Sequence, residues 1–504
     1  MNCQRKSAVS LLPATLLLSL ICAFSCSRNS ATGGSSGAAA PGTPSQFYTP
    51  SGVVYDVKYT DNTVRVDLPT VQKALRSVSS DGRVVIFDAS DPRLGGLTEG
   101  KVLFLEHLGV RRIIGVQKQG SQIALATDSA ALTDFIQDGR IEFSAPIDFH
   151  AAHADAIPPF FGAQPLSRIW NWTRMPGVVY ADAGEACGNP QESRVGVQLK
   201  GEAASWEFEV EGEPEGNNLL FCFNATKKLA SLSASVKAKG ELEHINTVFK
   251  AVIHGGKMDD FEYSSPIEGK LKVTWAALTS SAGAGIGEGR LKFPPFWKQV
   301  IDVDGLPFLL QANGNLIFTP GFGGSHDAAE GGFEADYSGT GGLSVHGDKS
   351  SPEGQMSGEP TLEKTTAESL APHGVVVAIA APKVALSLGT ESFAAALEQV
   401  APQGFLDKAA EALEGGPFAE LFKSVKENFF NIEGAAFLQL VTEFDYAGSG
   451  PMSIVPCSMT HLNLTGQAGV DATLLALKAG SPHVDLFKVS KVNRDPDIDA
   501  CGKK

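Results

Sequence analysis

The feature that most constrains the fold is an alternation of apolar and polar residues with a period of two, which recurs across residues 187–345. It is clearest in segments 206–210, 232–239 and 271–275. Side chains of a β-strand point alternately to opposite faces, so this alternation predicts strands with one buried and one solvated face. Such strands are typical of a mainly antiparallel sheet.

After residue 345 the sequence predicts helices as well as strands. Residues 350–369 are polar and predict a long loop, and strands are expected at 374–379 and 383–388. Apolar residues then recur at helical spacing near 391–430, and alternation returns after Gly434. We therefore predict one large, β-rich domain over residues 187–504 that contains a short helical cluster. The alternative is a second domain that begins near Gly374.

Residues 47–145 predict a separate small β-rich module. Strands are expected at 53–59 and 63–66, and Asp67 opens a helix whose apolar face runs through Val71, Ala74, Leu75 and Val78. Two strands around Gly120 predict a hairpin. A second helix is expected to carry Leu132, Phe135 and Ile136. The predicted fold class is therefore α+β, dominated by β-structure.

A similar hairpin is predicted farther along the chain. Two apolar segments, 308–312 and 316–318, flank Asn313 and Gly314. An Asn-Gly pair between apolar segments is typical of a tight turn.

The first 26 residues resemble the signal of a bacterial lipoprotein. Arg5 and Lys6 precede an apolar segment, and small Ala23 and Ser25 lead to Cys26 in the manner of a lipobox. The resemblance implies cleavage after residue 25, attachment of a diacylglycerol to the Cys26 thiol and acylation of the new amino group with a fatty acid such as palmitate. In that family an aspartate after the cysteine retains the protein in the inner membrane. Since residue 27 is a serine, the resemblance also implies the outer membrane. The alternative is an ordinary secretory signal with an unmodified Cys26.

Two segments without regular periodicity separate these parts of the chain. Residues 26–46 are rich in Ser, Gly, Ala, Thr and Pro and predict a flexible tether. Residues 146–186 combine prolines and aromatic rings without periodicity and predict a connector.

Part of the small module also resembles a known type of domain. Asp91, Pro92, Leu94, Leu97 and Gly100, followed by the hairpin and by the segment 127–134, resemble a small β-module of bacterial surface proteins. That module, which spans residues 88–140 here, has no assigned activity. The resemblance favours an envelope location.

Composition limits the possible partners. The chain has 504 residues, of which 43% are hydrophobic, and a formal net charge of -15. An acidic surface repels phosphates, so we expect no nucleic-acid partner. No nucleotide-binding pattern is present, and no cofactor is predicted. The expected partners are the membrane, through the lipid anchor, and a carbohydrate, a hydrophobic ligand or another envelope protein.

The cysteines agree with an oxidising compartment. Once the signal is removed and Cys26 is acylated, Cys187, Cys222, Cys457 and Cys501 remain. Three pairings are possible. We favour Cys187 with Cys222 and Cys457 with Cys501, because each pair encloses one short segment.

A few residues could carry chemistry. His150, His153 and Asp155 are of the types that bind zinc, but we favour a solvated acidic edge as the explanation of this group. Trp170 and Trp172 could stack on a sugar ring or simply pack. Catalytic residues stay unknown.

Two further patterns imitate parts of a calcium-binding loop. Asp495, Asp497 and Asp499 lack the glycine that such a loop needs, and Asp302, Asp304 and Gly305 are a weaker match. We therefore predict no calcium site from either.

The sequence thus leaves one leading function and two alternatives. The leading prediction is a non-enzymatic, membrane-tethered binding or structural protein, for example in adhesion. The alternatives are an exported hydrolase that acts on glycans through dispersed carboxylates, and a carrier of a hydrophobic ligand.

Overall fold

The computed structural model describes residues 47–50, 52–79, 82–147, 149, 197–203, 206–215, 218–229, 232–243, 245–280, 289–322, 326–347, 349–369, 373–390, 435–449, 457–470, 474 and 482–495. The chain from Pro44 onward is one compact unit. The described residues form 25 strands and three short helices. The prediction of a β-dominated, mainly antiparallel fold is confirmed.

The first large sheet has seven strands. Their spatial order is β1 (Phe47–Tyr48), β16 (Gly289–Val303), β17 (Leu306–Phe322), β22 (His373–Leu388), β23 (Ala435–Gly448), β24 (Ser458–Val470) and β25 (His483–Asp495). All neighbours are antiparallel except β1, which runs parallel to β16.

The second large sheet has twelve strands. Its main path is β10 (Val197–Ala203), β11 (Trp206–Glu215), β12 (Asn218–Leu229), β13 (Leu232–Glu243), β15 (Lys257–Thr279), β14 (Asn246–His254), β9 (Ile136–Pro146) and β2 (Val54–Tyr59). The long strand β18 (Ala328–His346) also pairs with β15. Three short strands then pair with β18: β19 (Lys349–Glu353), β20 (Met356–Leu362) and β21 (Thr366–Glu368).

The third sheet has six strands and lies within the predicted small module. Its order is β3 (Thr63–Val66), β6 (Val102–Leu105), β7 (Gly109–Gln119), β8 (Gln122–Ser129), β5 (Val84–Asp88) and β4 (Leu75–Val78). The same stretch of the chain also forms three short helices: α1 (Leu68–Ala74), α2 (Pro92–Gly95) and α3 (Leu132–Phe135). Each of α1 and α2 begins at an aspartate whose side chain accepts a hydrogen bond from a backbone N–H of the first turn.

The two large sheets pack face to face around one apolar core. Ring contacts cross the space between them: Phe223 stacks on Phe293 with centroids 4.6 Å apart, and Trp275 lies 5.6 Å from Phe444. The period-two pattern of the sequence places these rings on the inward faces. Full burial of a side chain of this size contributes about 1.5–3 kcal/mol.

Glycines opposite aromatic residues allow the long strands to pair closely. Gly240 pairs with Phe221, and Gly269 pairs with Tyr337. A Cβ atom at Gly240 would lie 2.1 Å from Cζ of Phe221, so the ring occupies the space of the missing side chain. This arrangement, in which an aromatic ring covers a strand glycine, accompanies curved sheets.

Several local predictions were wrong in an informative way. The helix expected to reach Val78 ends at Ala74, and Leu75–Val78 forms strand β4. The second helix ends at Phe135, and Ile136 begins β9. The predicted loop 350–369 contains β19, β20 and β21. Short edge strands often carry polar residues. The sequence of these three strands is therefore hard to distinguish from that of a polar loop.

The predicted hairpin at Asn313 and Gly314 is also wrong, because both residues lie inside β17 at a register irregularity. A Cβ atom at Gly314 would lie 3.0 Å from Ala381 Cβ and from Phe223 Cζ. This glycine therefore allows close packing and does not form a turn. The hairpin predicted around Gly120 is confirmed by β7 and β8. The predicted helical cluster near 391–430 lies outside the described residues.

Candidate functional site

A group of interacting polar side chains lies where the six-stranded sheet meets the seven-stranded sheet. The turn between β6 and β7 contributes Glu106 and His107. The end of β16 contributes Asp302, and the turn that follows it contributes Asp304 and Gly305. We call this group, together with Arg65 of β3, the joint. Its two turns are far apart in the sequence and meet only in the folded chain.

The β16–β17 turn has the backbone that an Asp-Gly pair favours. Asp304 and Gly305 have φ values of 53° and 84°, as the two central residues of a tight hairpin turn require. Aspartate tolerates this left-handed conformation better than most residues, and glycine adopts it without strain. The hairpin therefore presents Asp302 and Asp304 at a fixed position.

His107 and Asp302 connect the two turns directly. Nδ1 of His107 lies 2.8 Å from Oδ2 of Asp302, while the other carboxylate oxygen accepts a hydrogen bond from the Gly305 N–H at 3.0 Å. The backbone N–H of His107 also donates to the Gly305 carbonyl at 2.7 Å. Asp302 is only 6% exposed, so its carboxylate depends on these partners in place of water.

The hydrogen bond to Asp302 is the main reason why the pKa of His107 is raised above its ordinary value. Burial acts in the opposite direction, and the charge of Asp302 adds to the increase. The joint therefore favours the charged imidazolium, which donates to the carboxylate.

Arg65 forms the second half of the joint. Its Nε atom donates to Glu106, and its terminal nitrogen lies 3.5 Å from the Asp304 carbonyl oxygen. The guanidinium carbon lies 5.5 Å from the ring centre of Phe104, a cation–π contact. Behind it, the Tyr55 and Tyr59 hydroxyls are 2.9 Å apart. Burial raises the pKa of Tyr55, so its hydroxyl stays protonated.

Buried aromatic rings pack next to the charged groups of the joint. Phe104 is fully buried, and its ring centre lies 6.0 Å from those of both Tyr59 and Phe135. Phe104 belongs to β6, Tyr59 to β2 of the twelve-stranded sheet, and Phe135 to α3. The ring cluster thus fixes the six-stranded sheet to the large core independently of the charges.

Most of the predicted site residues lie outside the described part of the chain. These are Cys26, His150, His153, Asp155, Trp170, Trp172, Cys187 and Cys501. Cys222 and Cys457 are described, and both are disulfide-bonded. The pairing of Cys187 with Cys222 and of Cys457 with Cys501 stays a prediction.

The described residues hold neither a cluster of metal ligands nor a membrane-spanning helix. No group of three or more His, Cys, Asp or Glu residues among them could hold a metal ion. None of the helices formed by them is long and apolar enough to cross a membrane.

Sequence reasoning missed Arg65, Glu106 and His107 entirely. Asp302, Asp304 and Gly305 were considered only as a weak calcium pattern. The available signal was the Asp-Gly pair at 304–305 between apolar segments, which predicts a hairpin turn. The contact with His107 had no local signal.

Comparison with known proteins gives one match. A family described as a domain of unknown function (DUF8403) matches residues 47–138. No curated protein and no solved structure matches the chain. The matched segment includes Arg65, Glu106 and His107 but ends well before Asp302. The joint therefore connects the matched segment to a part of the chain that lies outside the match.

Proposed function

We propose that this chain is a lipid-anchored protein of the cell envelope, with Cys26 as the site of lipid attachment, and that its β-sheet body binds or supports a partner without catalysing a reaction. The lipobox-like pattern before Cys26 supports the anchor. Acylation at two positions would provide stable attachment to a membrane. The polar segment 26–46 would then separate the membrane from the first described strand.

One observation carries the non-enzymatic role: the charged groups of the joint are bound to one another. Glu106 pairs with Arg65, and Asp302 pairs with both His107 and the Gly305 N–H. A general acid or base must reach a proton of its substrate. Carboxylates that hold two turns together are better suited to fixing the domain than to proton transfer.

Metabolic labelling with a palmitate analogue tests the anchor. We expect the wild-type chain and a Cys22→Ala variant to incorporate label and to fractionate with membranes. A Cys26→Ala variant should do neither. Cys22 is the matched control, because it lies in the same segment without the small preceding residue of a lipobox. Equal labelling of the Cys26→Ala variant would contradict the proposed attachment site.

Incubation with polysaccharides tests the non-enzymatic role against the hydrolase alternative. We expect the purified chain to release no new reducing ends from peptidoglycan or from neutral and acidic polysaccharides. Release that disappears in an Asp302→Asn variant of unchanged fold would support a glycan hydrolase and would contradict our proposal.

A carrier of a hydrophobic ligand is the second candidate. The indole N–H groups of Trp206, Trp275 and Trp297 are buried and form no hydrogen bond among the described residues. Such groups are rare because each costs about 1–3 kcal/mol, and an acceptor on a bound amphiphile would satisfy them. Organic extraction of the purified chain followed by mass spectrometry tests this role. A stoichiometric lipid that decreases in a Trp275→Phe variant would support it, and its absence from the wild type would contradict it.

A further inference from the structure

Strand β25 is the last strand of the seven-stranded sheet. It pairs with β24 on one side, and no described strand pairs with its other edge. The strand has neither proline nor glycine between His483 and Asp495. An edge strand of this length offers a row of backbone N–H and C=O groups to an added strand.

The second half of β25 is positively charged on an acidic protein. Lys488, Lys491 and Arg494 are exposed, and no acid lies between them. None of the three forms an ion pair with a described residue. Their partners across β24 are Thr465, Leu462 and Met459, which carry no charge. The whole chain has a formal net charge of -15, whereas residues 488–494 carry three positive charges and no negative one.

An apolar side chain lies within the same segment. Val492 is 52% exposed, more than any other large hydrophobic residue of the described chain. The period of a strand places Val492 on the same face as Lys488 and Arg494, while Lys491 points to the opposite face. An added strand would therefore meet one apolar contact between positive charges.

These charges select among the possible occupants. A second copy of β25 is disfavoured, because its lysines and arginine would face those of the first copy. An acidic segment is favoured, because carboxylates would face Lys488, Lys491 and Arg494. The repulsion from the rest of the protein is short-ranged, since the Debye length is about 8 Å at physiological ionic strength.

We propose that β25, from Lys488 to Arg494, is a docking edge on which an extended acidic segment of a partner protein adds as an eighth strand. This inference rests on the proposed binding role and names the class of partner. Backbone hydrogen bonds provide the general affinity, and the three cations with Val492 select an acidic segment that also contains apolar residues.

A fluorescein-labelled peptide of repeating Glu-Glu-Val-Val is the probe, because an extended chain with this pattern presents glutamate on both of its faces. Its binding to the full-length chain is followed by fluorescence anisotropy, and hydrogen exchange of the β25 amides is measured with and without peptide. We expect saturable binding that weakens with salt, together with slower exchange in β25. A peptide of repeating Lys-Lys-Val-Val should bind roughly tenfold more weakly or not at all.

Charge reversal provides the matched comparison. The edge variant is Lys488→Glu, Lys491→Glu and Arg494→Glu. The control variant is Lys73→Glu, Lys257→Glu and Lys270→Glu, which changes the net charge equally at exposed positions outside β25. We expect the edge variant to lose roughly tenfold or more in affinity and the control to stay close to the wild type.

Three outcomes would overturn the proposal: equal binding of both peptides, equal affinity of the edge and control variants, or binding without slower exchange in β25. Tight binding of β25 to vesicles of anionic phospholipid, with no effect of the acidic peptide, would replace the protein partner with a membrane. Failure of the proposed anchor is distinguishable, because a Cys26→Ala variant without lipid should still bind the peptide.

Discussion

The joint and strand β25 use charged residues in opposite ways. At the joint, Arg65 pairs with Glu106 and His107 pairs with the buried Asp302. In β25, Lys488 and Arg494 are exposed and have no ion pair with a described residue. Charges that are partly buried and paired stabilise a contact within the chain. Exposed, unpaired charges contribute little to folding and are available to a partner.

This comparison predicts that the same kind of substitution has large effects at the joint and small effects in β25. The joint connects a domain matched over residues 47–138 to the hairpin of β16 and β17. Loss of the contacts at the joint would therefore weaken the packing of the six-stranded sheet against the seven-stranded sheet. Loss of the charges in β25 would leave the core intact.

The largest effect is expected for Phe104→Ala, which removes the ring beneath Arg65. Phe104 is fully buried against Tyr59 and Phe135, so the variant leaves a cavity. We expect a loss of about 3–5 kcal/mol in the free energy of unfolding, measured in urea. The control, Val492→Ala in β25, should lose about 0.5 kcal/mol or less. Similar losses would contradict the comparison.

The next largest effect is expected for Asp302→Asn. Its carboxylate bonds His107 and the Gly305 N–H, and an amide replaces the charged acceptor. We expect a loss of about 1–2 kcal/mol by urea unfolding. Asp304→Asn is the matched control in the same turn. Its side chain is 60% exposed and lies 4.0 Å from Arg65, so we expect about 0.5 kcal/mol or less. A larger loss at Asp304 would show that Arg65 carries the contact between the turns.

A smaller effect is the pH dependence of the joint. The pKa of His107 is raised, chiefly by the hydrogen bond to Asp302, and Glu106 and Arg65 also face this imidazole. The stabilisation is therefore complete below the ordinary histidine pKa of about 6.5 and is lost as the pH rises through the pKa of the folded state. Unfolding measured from about pH 5 to about pH 9 should show the wild type and a His107→Gln variant converging at high pH. A difference that grows with pH would contradict this assignment.

The sequence was sufficient for the strands and insufficient for the joint, for physical reasons. Alternation over 271–275 predicts a strand because one face of that strand is buried, and this signal is local. His107 and Asp302 are 195 positions apart, and no local pattern connects them. Asn313 and Gly314 misled the prediction because a glycine needed for close packing has the same sequence signature as a turn. The turn at Asp304 and Gly305 also matches part of a calcium-loop pattern, and this second match hides the hairpin signal of the Asp-Gly pair.

The smallest effect on stability is expected for the variant Lys488→Glu, Lys491→Glu and Arg494→Glu. The three side chains are exposed and have no ion pair with a described residue to lose, so we expect about 0.5 kcal/mol or less by urea unfolding. An Arg65→Glu variant is the comparison at the joint, because one reversed charge there would face both Glu106 and Asp304. It should lose more stability than the three reversed charges of β25 together. If the edge variant is the less stable of the two, β25 contributes to the fold through its charges, and its loss of peptide binding would no longer identify a docking edge.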